Sequence, residues 1–177
     1  MKSRNERLSI AMLAGPGFED LEHWAVYMRM KELGADITTV GITAGDVYPS
    51  KSGGLTAVAD KGAGEVSARD FNAILVPGGW APDKLRRDAG VLKLVRDAFD
   101  AGILLGFICH AGWIAASAGI AKGMTCTGSL GIKDDMVNAG AVWSDKPALR
   151  DGNVVWGRVV ADIPDYNREL VAALAEL

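Results

Sequence analysis

The chain predicts an α/β fold in which a mostly parallel sheet is covered by helices on both faces, and three observations lead there. Three apolar runs, LSIAMLA (Leu8 to Ala14), NAILVPGG (Asn72 to Gly79) and ILLGFI (Ile103 to Ile108), carry no formal charge, as strands buried on both sides require. Segments of helical period separate them. No linker, repeat or low-complexity stretch divides the 177 residues, so one domain over residues 1–177 is expected. At this size folding buries roughly 70% of the surface of the unfolded chain.

Each element has its own signal. LSIAMLA ends in Gly15, Pro16 and Gly17, which stop a strand and open a loop. From Glu19 the period changes: Leu21, Trp24, Ala25 and Met28 form a stripe, acids occupy the first turn, Arg29 and Lys31 the last, and Gly34 is the stop. That is an amphipathic helix. DITTVGI (Asp36 to Ile42) is a strand rich in β-branched residues, and VYPSKSGGLTAV holds a turn between two β-prone pieces, hence a small hairpin. After NAILVPGG a helix starts near Ala81, and a longer one, capped by Asp88, carries Val91, Leu92, Val95, Ala98 and Phe99. ILLGFI leads into CHAGWIAASAGI, whose small residues suit a closely packed helix. MTCTG, the helical SLGIKDDMVNAG, AVW, a hairpin through Asp151 and Gly152, and a last helix from about Pro164 complete the order.

Composition excludes several classes of function. A net charge of -3 with a pI near 5.4 gives no attraction to phosphate backbones, and the basic run Lys84, Arg86, Arg87 is countered by Asp83 and Asp88. Nucleic acid is not an expected partner. No segment approaches the roughly 20 apolar residues of a membrane span, so no membrane partner is expected either. Lys2, Arg4 and Arg7 before the first apolar stretch imitate a signal peptide, but that stretch is short and runs into Gly-Pro-Gly, which a first strand explains better. The two cysteines, Cys109 and Cys126, form no CxxC pair and fit a reducing, cytoplasmic setting. Two histidines in the whole chain make no metal constellation, and no cofactor is expected. Of these, His23 is read as a surface or interface residue.

In a parallel sheet ligands bind beyond the carboxyl ends of the strands, which places Gly17 and Glu19, Gly78 and Gly79, and Cys109 and His110 together. A cysteine on a tight strand-to-helix turn projects from the sheet and meets unpaired N–H groups that favour thiolate. Cys109 is therefore read as a nucleophile, whereas Cys126 is read as a small core residue. His110 is either a turn residue or part of the pocket. Glu19 has two readings, a favourable charge at a helix start or a carboxyl that shares one proton with the thiol. Gly78 and Gly79 are either turn glycines or, lacking side chains, admit a reacting carbonyl to a backbone N–H, the amide of His110 supplying the second donor of an oxyanion hole. Most of the five tryptophans are core or interface residues, although Trp80 and Trp113 flank these loops.

These residues resemble the ThiJ/PfpI family, also called the DJ-one superfamily, in its PfpI-like intracellular protease branch. GFEDLE is similar to its first acidic loop, LVPGGWAPDKLR to its PGG segment, FICHAG to its Cys-His elbow, GIKDDMVNAGAVW to its late helix and strand, and ADIPDYNREL to its closing helix. The resemblance implies a flavodoxin-like three-layer sandwich of the class I glutamine amidotransferase type. It implies Cys109 as nucleophile, Glu19 as partner carboxyl, His110 as the following histidine and Gly79 in the oxyanion hole. Asp83 falls where such members place a glutamate that reaches the histidine of a neighbouring subunit, so a homo-oligomer, a dimer or a larger ring, is also implied.

Two segments depart from the family pattern, CHAGW at the elbow and WGR at Trp156 to Arg158. The functions implied are glyoxalase or deglycase chemistry on small carbonyls, peptidase action through a triad of Cys109, His110 and Asp83 assembled between subunits, or a non-catalytic redox-sensing or chaperone-like stress protein.

Overall fold

A computed structural model describes residues 7–177; Lys2 and Arg4, two of the charges that imitate a signal peptide, lie outside this range. In chain order come β1 (Ser9–Leu13), α1 (Asp20–Glu32), β2 (Asp36–Gly41), the hairpin strands β3 (Val47–Pro49) and β4 (Thr56–Val58), and the short β5 (Lys61–Gly62). They are followed by β6 (Ala73–Val76), α2 (Ala81–Leu85), α3 (Ala89–Asp100), β7 (Leu104–Ile108) and α4 (Gly112–Ser117). The last part contains β8 (Thr125–Cys126), α5 (Lys133–Asn138), β9 (Val142–Trp143), β10 (Ala148–Asp151), β11 (Val154–Gly157) and α6 (Ile163–Leu174).

The central sheet has seven strands in the order β10-β11-β7-β6-β1-β2-β5, parallel except for the β10–β11 hairpin. From β1 the chain moves outward to β2 on one side and later returns to β6 on the other. The loops after β1 and β6 therefore diverge at a topological switch point, where a crevice opens. Register is set by apolar pairs such as Met12 with Leu75 and Ile74 with Leu105.

Because successive strand side chains alternate between faces, the sheet feeds two cores. Ile10, Met12, Leu75 and Ile108 pack under α1 and α6 with Val26, Met30, Tyr166 and Leu170. Leu13, Ile74, Val76, Leu105 and Phe107 pack on the other face with Val91, Leu94 and Val95 of α3 and Ile114 of α4. These two covered faces make the flavodoxin-like sandwich. Each fully buried leucine or isoleucine contributes about 1.5–3 kcal/mol relative to exposure.

Of the apolar stripe expected of α1, Trp24 and Ala25 pack at the edge of the cores, but Leu21 and Met28 face outward. Leu21 is 52% and Met28 59% exposed, whereas Glu22, His23, Val26 and Met30 are buried. The helix is apolar on both sides, and its inward face is set by the loop before it. Pro16 and Gly17 steer the chain over the sheet end, and Glu19 then caps the helix, aiming Glu22 rather than Leu21 inward. His23, expected at the surface, is fully buried among Phe18, Trp24 and Tyr27.

Candidate active site

Cys109 follows β7 and begins a short 3-10 turn that leads into α4. Its φ of 60° makes it the only non-glycine among the described residues in the left-handed region, a conformation that L side chains adopt at a cost. The elbow lifts the sulfur out of the sheet end into a half-buried position. There His110 Nδ1 lies 3.2 Å from Sγ, and the backbone N–H groups of His110 and Gly79 are directed at the sulfur.

The carboxyl beside this thiol belongs to Glu22, which corrects the placement expected of Glu19. The Glu19 side chain turns back on its own helix, accepting the N–H groups of Leu21 at 2.9 Å and Glu22 at 2.8 Å as the N-cap of α1. It stays at the edge of the pocket. Glu22, one turn further and 1% exposed, accepts the Gly78 N–H at 2.8 Å and lies beside Cys109, close enough for each group to shift the titration of the other. Its other oxygen, Oε1, is buried and has no hydrogen-bond partner. The sequence held a signal for it, since Glu22, Val26 and Met30 lie four residues apart on one face. An acid in register with two core residues is a buried acid.

Burial pushes Glu22 up to about 7, with the Gly78 N–H opposing and the neighbouring Glu19 charge adding to the rise. Burial likewise raises Cys109, and the Glu22 carboxylate raises it further, while the N–H groups of His110 and Gly79 pull it down. Two acids in one partly buried site cannot both ionise near neutral pH, so the pair carries one proton between them. His110 is lowered, first by burial and then by the Lys51 charge, and stands neutral at pH 7.

The two glycines are required by space. A Cβ at Gly78 would lie 2.6 Å from Glu22 Oε2 and 2.7 Å from Cys109 Cβ. At Gly79, with φ 77°, it would meet the Glu19 nitrogen and the Gly17 oxygen at 2.5 Å. The loops after β1 and β6 are zipped here, with Glu19 N–H donating to Gly78 O at 3.1 Å and Trp80 N–H to Gly17 O at 2.7 Å. The resulting cavity, of about 310 Å³, is lined by Glu22, Lys51, Trp80, Cys109, His110 and the Val159–Ala161 wall, among others. A larger groove of about 530 Å³ beside α6 is lined by Arg29, Ile163 and Asn167 among others and holds no nucleophile.

Trp80, 55% exposed, is a wall of the cavity, whereas Trp113 packs edge-on to His110 and donates from Nε1 to Asp135 at 2.7 Å. Trp156 of WGR is buried against Phe107, and Arg158 binds Asp145 and Asp162, so this departure shapes the core and the base of the wall. Asp83 is engaged within its own chain by Arg87, at 2.7 and 2.8 Å, and by Lys84. Among the described residues His110 makes no hydrogen bond to a carboxylate. Cys126 is buried and free, and burial raises it to about 11. Among the described residues no group of His, Cys, Asp and Glu could hold a metal ion, and no helix is long and apolar enough to cross a membrane.

The family model of the DJ-1/PfpI family matches residues 8–173. The chain is 36% identical over 167 residues to a protein of Pyrococcus furiosus named deglycase PfpI, covering 94% of this chain and 99% of that one. It is 31% identical over 160 residues to the putative cysteine protease YraA of Bacillus subtilis, covering 90% and 94%. Among solved structures, a two-domain protein of Anabaena variabilis with DJ-1/ThiJ/PfpI-like and ferritin-like domains superposes with a TM-score of 0.94 at 30% identity, over 96% of this chain and 48% of that one. Drosophila melanogaster DJ-1beta, at 24% identity, shares the fold with a TM-score of 0.88 over 96% of this chain and 91% of that one. With the elbow cysteine, the buried glutamate and the paired glycines in place, the chain belongs to the DJ-1/PfpI family.

Proposed function

We propose that this protein is a cysteine-dependent enzyme acting on small reactive carbonyls, with Cys109 as nucleophile and Glu22 as the group that moves protons. The observation that carries this reading is the buried Glu22–Cys109 pair with two N–H groups aimed at the sulfur. Relatives named deglycase support it.

With methylglyoxal the reaction converts the dicarbonyl and one water to lactate and a proton. The Cys109 thiolate forms a C–S bond to the aldehyde carbon, and the carbonyl electron pair moves onto oxygen, held by the Gly79 and His110 amides. Protonated Glu22 neutralises that alkoxide to give a hemithioacetal. As carboxylate it then takes the proton from the same carbon, leaving an enediolate. After proton transfer between the two oxygens, Glu22 returns its proton to the adjacent carbon, and a lactoyl thioester results. Water, activated by neutral His110, cleaves the thioester to lactate, and the pair again shares one proton.

The test is lactate formation from methylglyoxal. Cys109→Ser and Glu22→Gln should each lose at least about 100-fold in kcat/KM, in the range of a lost nucleophile or proton carrier, and Glu19→Gln should lose far less. Normal turnover in Cys109→Ser or Glu22→Gln overturns the assignment.

A second reading, peptide hydrolysis, draws on the 3.2 Å contact between His110 Nδ1 and Sγ and on the relative named a putative cysteine protease. It needs an orienting carboxylate for His110, and Asp83 serves only if a neighbouring subunit presents it.

A further inference from the structure

A carbonyl entering the cavity meets one side-chain cation. Of the lining residues only Lys51 is cationic, while Glu19 is turned onto its helix and Glu22 shares its proton with Cys109. Lys51 forms no ion pair with a carboxylate among the described residues. Its Nζ instead lies 5.0 Å from the centroid of the exposed Trp80 ring, a contact that leaves the positive charge available. The same charge is felt at Glu22 and at His110, so Lys51 is electrostatically coupled to the reacting groups.

The turn that carries Lys51 is fixed. Lys51 N–H donates to Phe18 O at 2.8 Å, and Gly17 N–H donates to Pro49 O at 2.8 Å. On either side of Lys51, the hydroxyls of Ser50 and Ser52 donate to Asp20 Oδ1 at 2.7 and 2.5 Å, and the Ser52 N–H reaches Oδ2 at 3.2 Å. Asp20 is the first residue of α1, two positions before Glu22, so a single helical turn anchors both the reacting acid and the turn that bears the cation.

We propose that Lys51 is a specificity-determining residue that selects carbonyl substrates bearing a carboxylate, and that Asp20 is the positioning residue that holds its turn at the mouth of the cavity. The substrate class is then 2-oxoaldehydes that also bear a carboxylate, ahead of their neutral counterparts. The inference rests on Cys109 being the reacting atom of the proposed function, and its test needs no turnover.

The test compares alkylation of Cys109 by iodoacetate and by iodoacetamide, which are alike around the reacting carbon and differ in charge. In both, the thiolate forms an S–C bond and iodide leaves; Cys109→Ser supplies the background from Cys126. The iodoacetate to iodoacetamide rate ratio should fall about five- to tenfold in Lys51→Met, the size expected when one partly exposed charge is removed. In Asp20→Asn it should lie between the two. Raising the salt to about 0.5 M should lower the wild-type ratio and leave that of Lys51→Met unchanged, because an exposed charge is screened. An unchanged ratio in Lys51→Met, or equal changes in both rates, overturns the role of Lys51. A wild-type ratio in Asp20→Asn overturns the positioning role alone. A protein that makes no lactate can still pass this test, and one that does can still fail it.

Discussion

Glu22 and His23 are neighbours in the first turns of α1, both are buried, and their titrations are displaced in opposite senses. Burial lowers His23 from 6.5 to about 4, and its ring nitrogens make no regular hydrogen bond, the Leu13 carbonyl compensating only in part. Between about pH 4 and 6.5 the unfolded chain therefore binds more protons at this residue than the folded one, and stability rises with pH across that window. Glu22 acts the other way. Its folded pKa of about 7 exceeds the ordinary 4.5, so between these values the folded chain holds the extra proton and stability falls as pH rises. The two slopes oppose each other over their overlap. His23→Phe, which keeps a ring among Phe18, Trp24 and Tyr27, should remove the acid penalty alone. Relative to the wild type, its stability at pH 4.5 compared with pH 7.5 should improve on the order of 2–3 kcal/mol in urea unfolding. An unchanged pH dependence would show that His23 is solvated in the native state. At this scale the sequence placed Cys109, His110 and the two glycines together at one end of the sheet, where the structure also has them, because they lie at the ends of charge-free runs. Glu22 was less legible, because GFEDLE contains three acids, and its register with Val26 and Met30 marks it as inward only once those two are known to be core.

At the scale of elements, the site depends on how closely two loops approach. The loops after β1 and β6 meet through the Phe18–Gly79 bridge, and Gly78 sits where the Glu22 carboxylate and the Cys109 side chain converge. Gly78→Ala would press a methyl group between backbone and both reacting groups, and neither neighbour is the free end of a surface side chain. The expected result is a loss of lactate formation of at least about 100-fold with the far-UV signature of the sheet retained, since a displacement near 1 Å costs that much in positioning. Gly64→Ala is the control. A Cβ there meets nothing within 4 Å, so stability should stay within about 0.5 kcal/mol and turnover should be unchanged. Equal activity in the two variants would mean that the crowding around Gly78 has no catalytic consequence. The elements themselves were largely legible, from the strand runs to the Asp88 cap, which accepts the Val91 N–H at 2.9 Å as its position before α3 suggests. The facing of α1 was not, because a helix apolar on two sides has no preferred stripe, and the preceding loop chooses between them.

At the scale of the whole molecule, the sheet order brings together in one chain every group that the proposed carbonyl reaction uses. Cys109, Glu22, Gly79, His110 and Lys51 come from the ends of β7, β6 and β1 and from the hairpin tied to the loop after β1. Peptide hydrolysis differs in this respect, since the carboxylate it would need, Asp83, is committed to Arg87 and Lys84 within its own chain. Those ion pairs hold Asp83 below the usual carboxylate range, so it is charged at neutral pH and could orient an imidazole if released. Asp83→Asn separates the two chemistries without disturbing the core, because the side chain is partly exposed and its partners are surface cations. Lactate formation should remain within about twofold of the wild type and be independent of protein concentration, whereas any peptide cleavage should fall by at least about tenfold and weaken on dilution. A tenfold loss of lactate formation in Asp83→Asn, with unfolding unchanged, would instead place a neighbouring subunit inside the carbonyl site. Asp83 would then act on His110 during thioester hydrolysis, the one step in which that imidazole must take a proton.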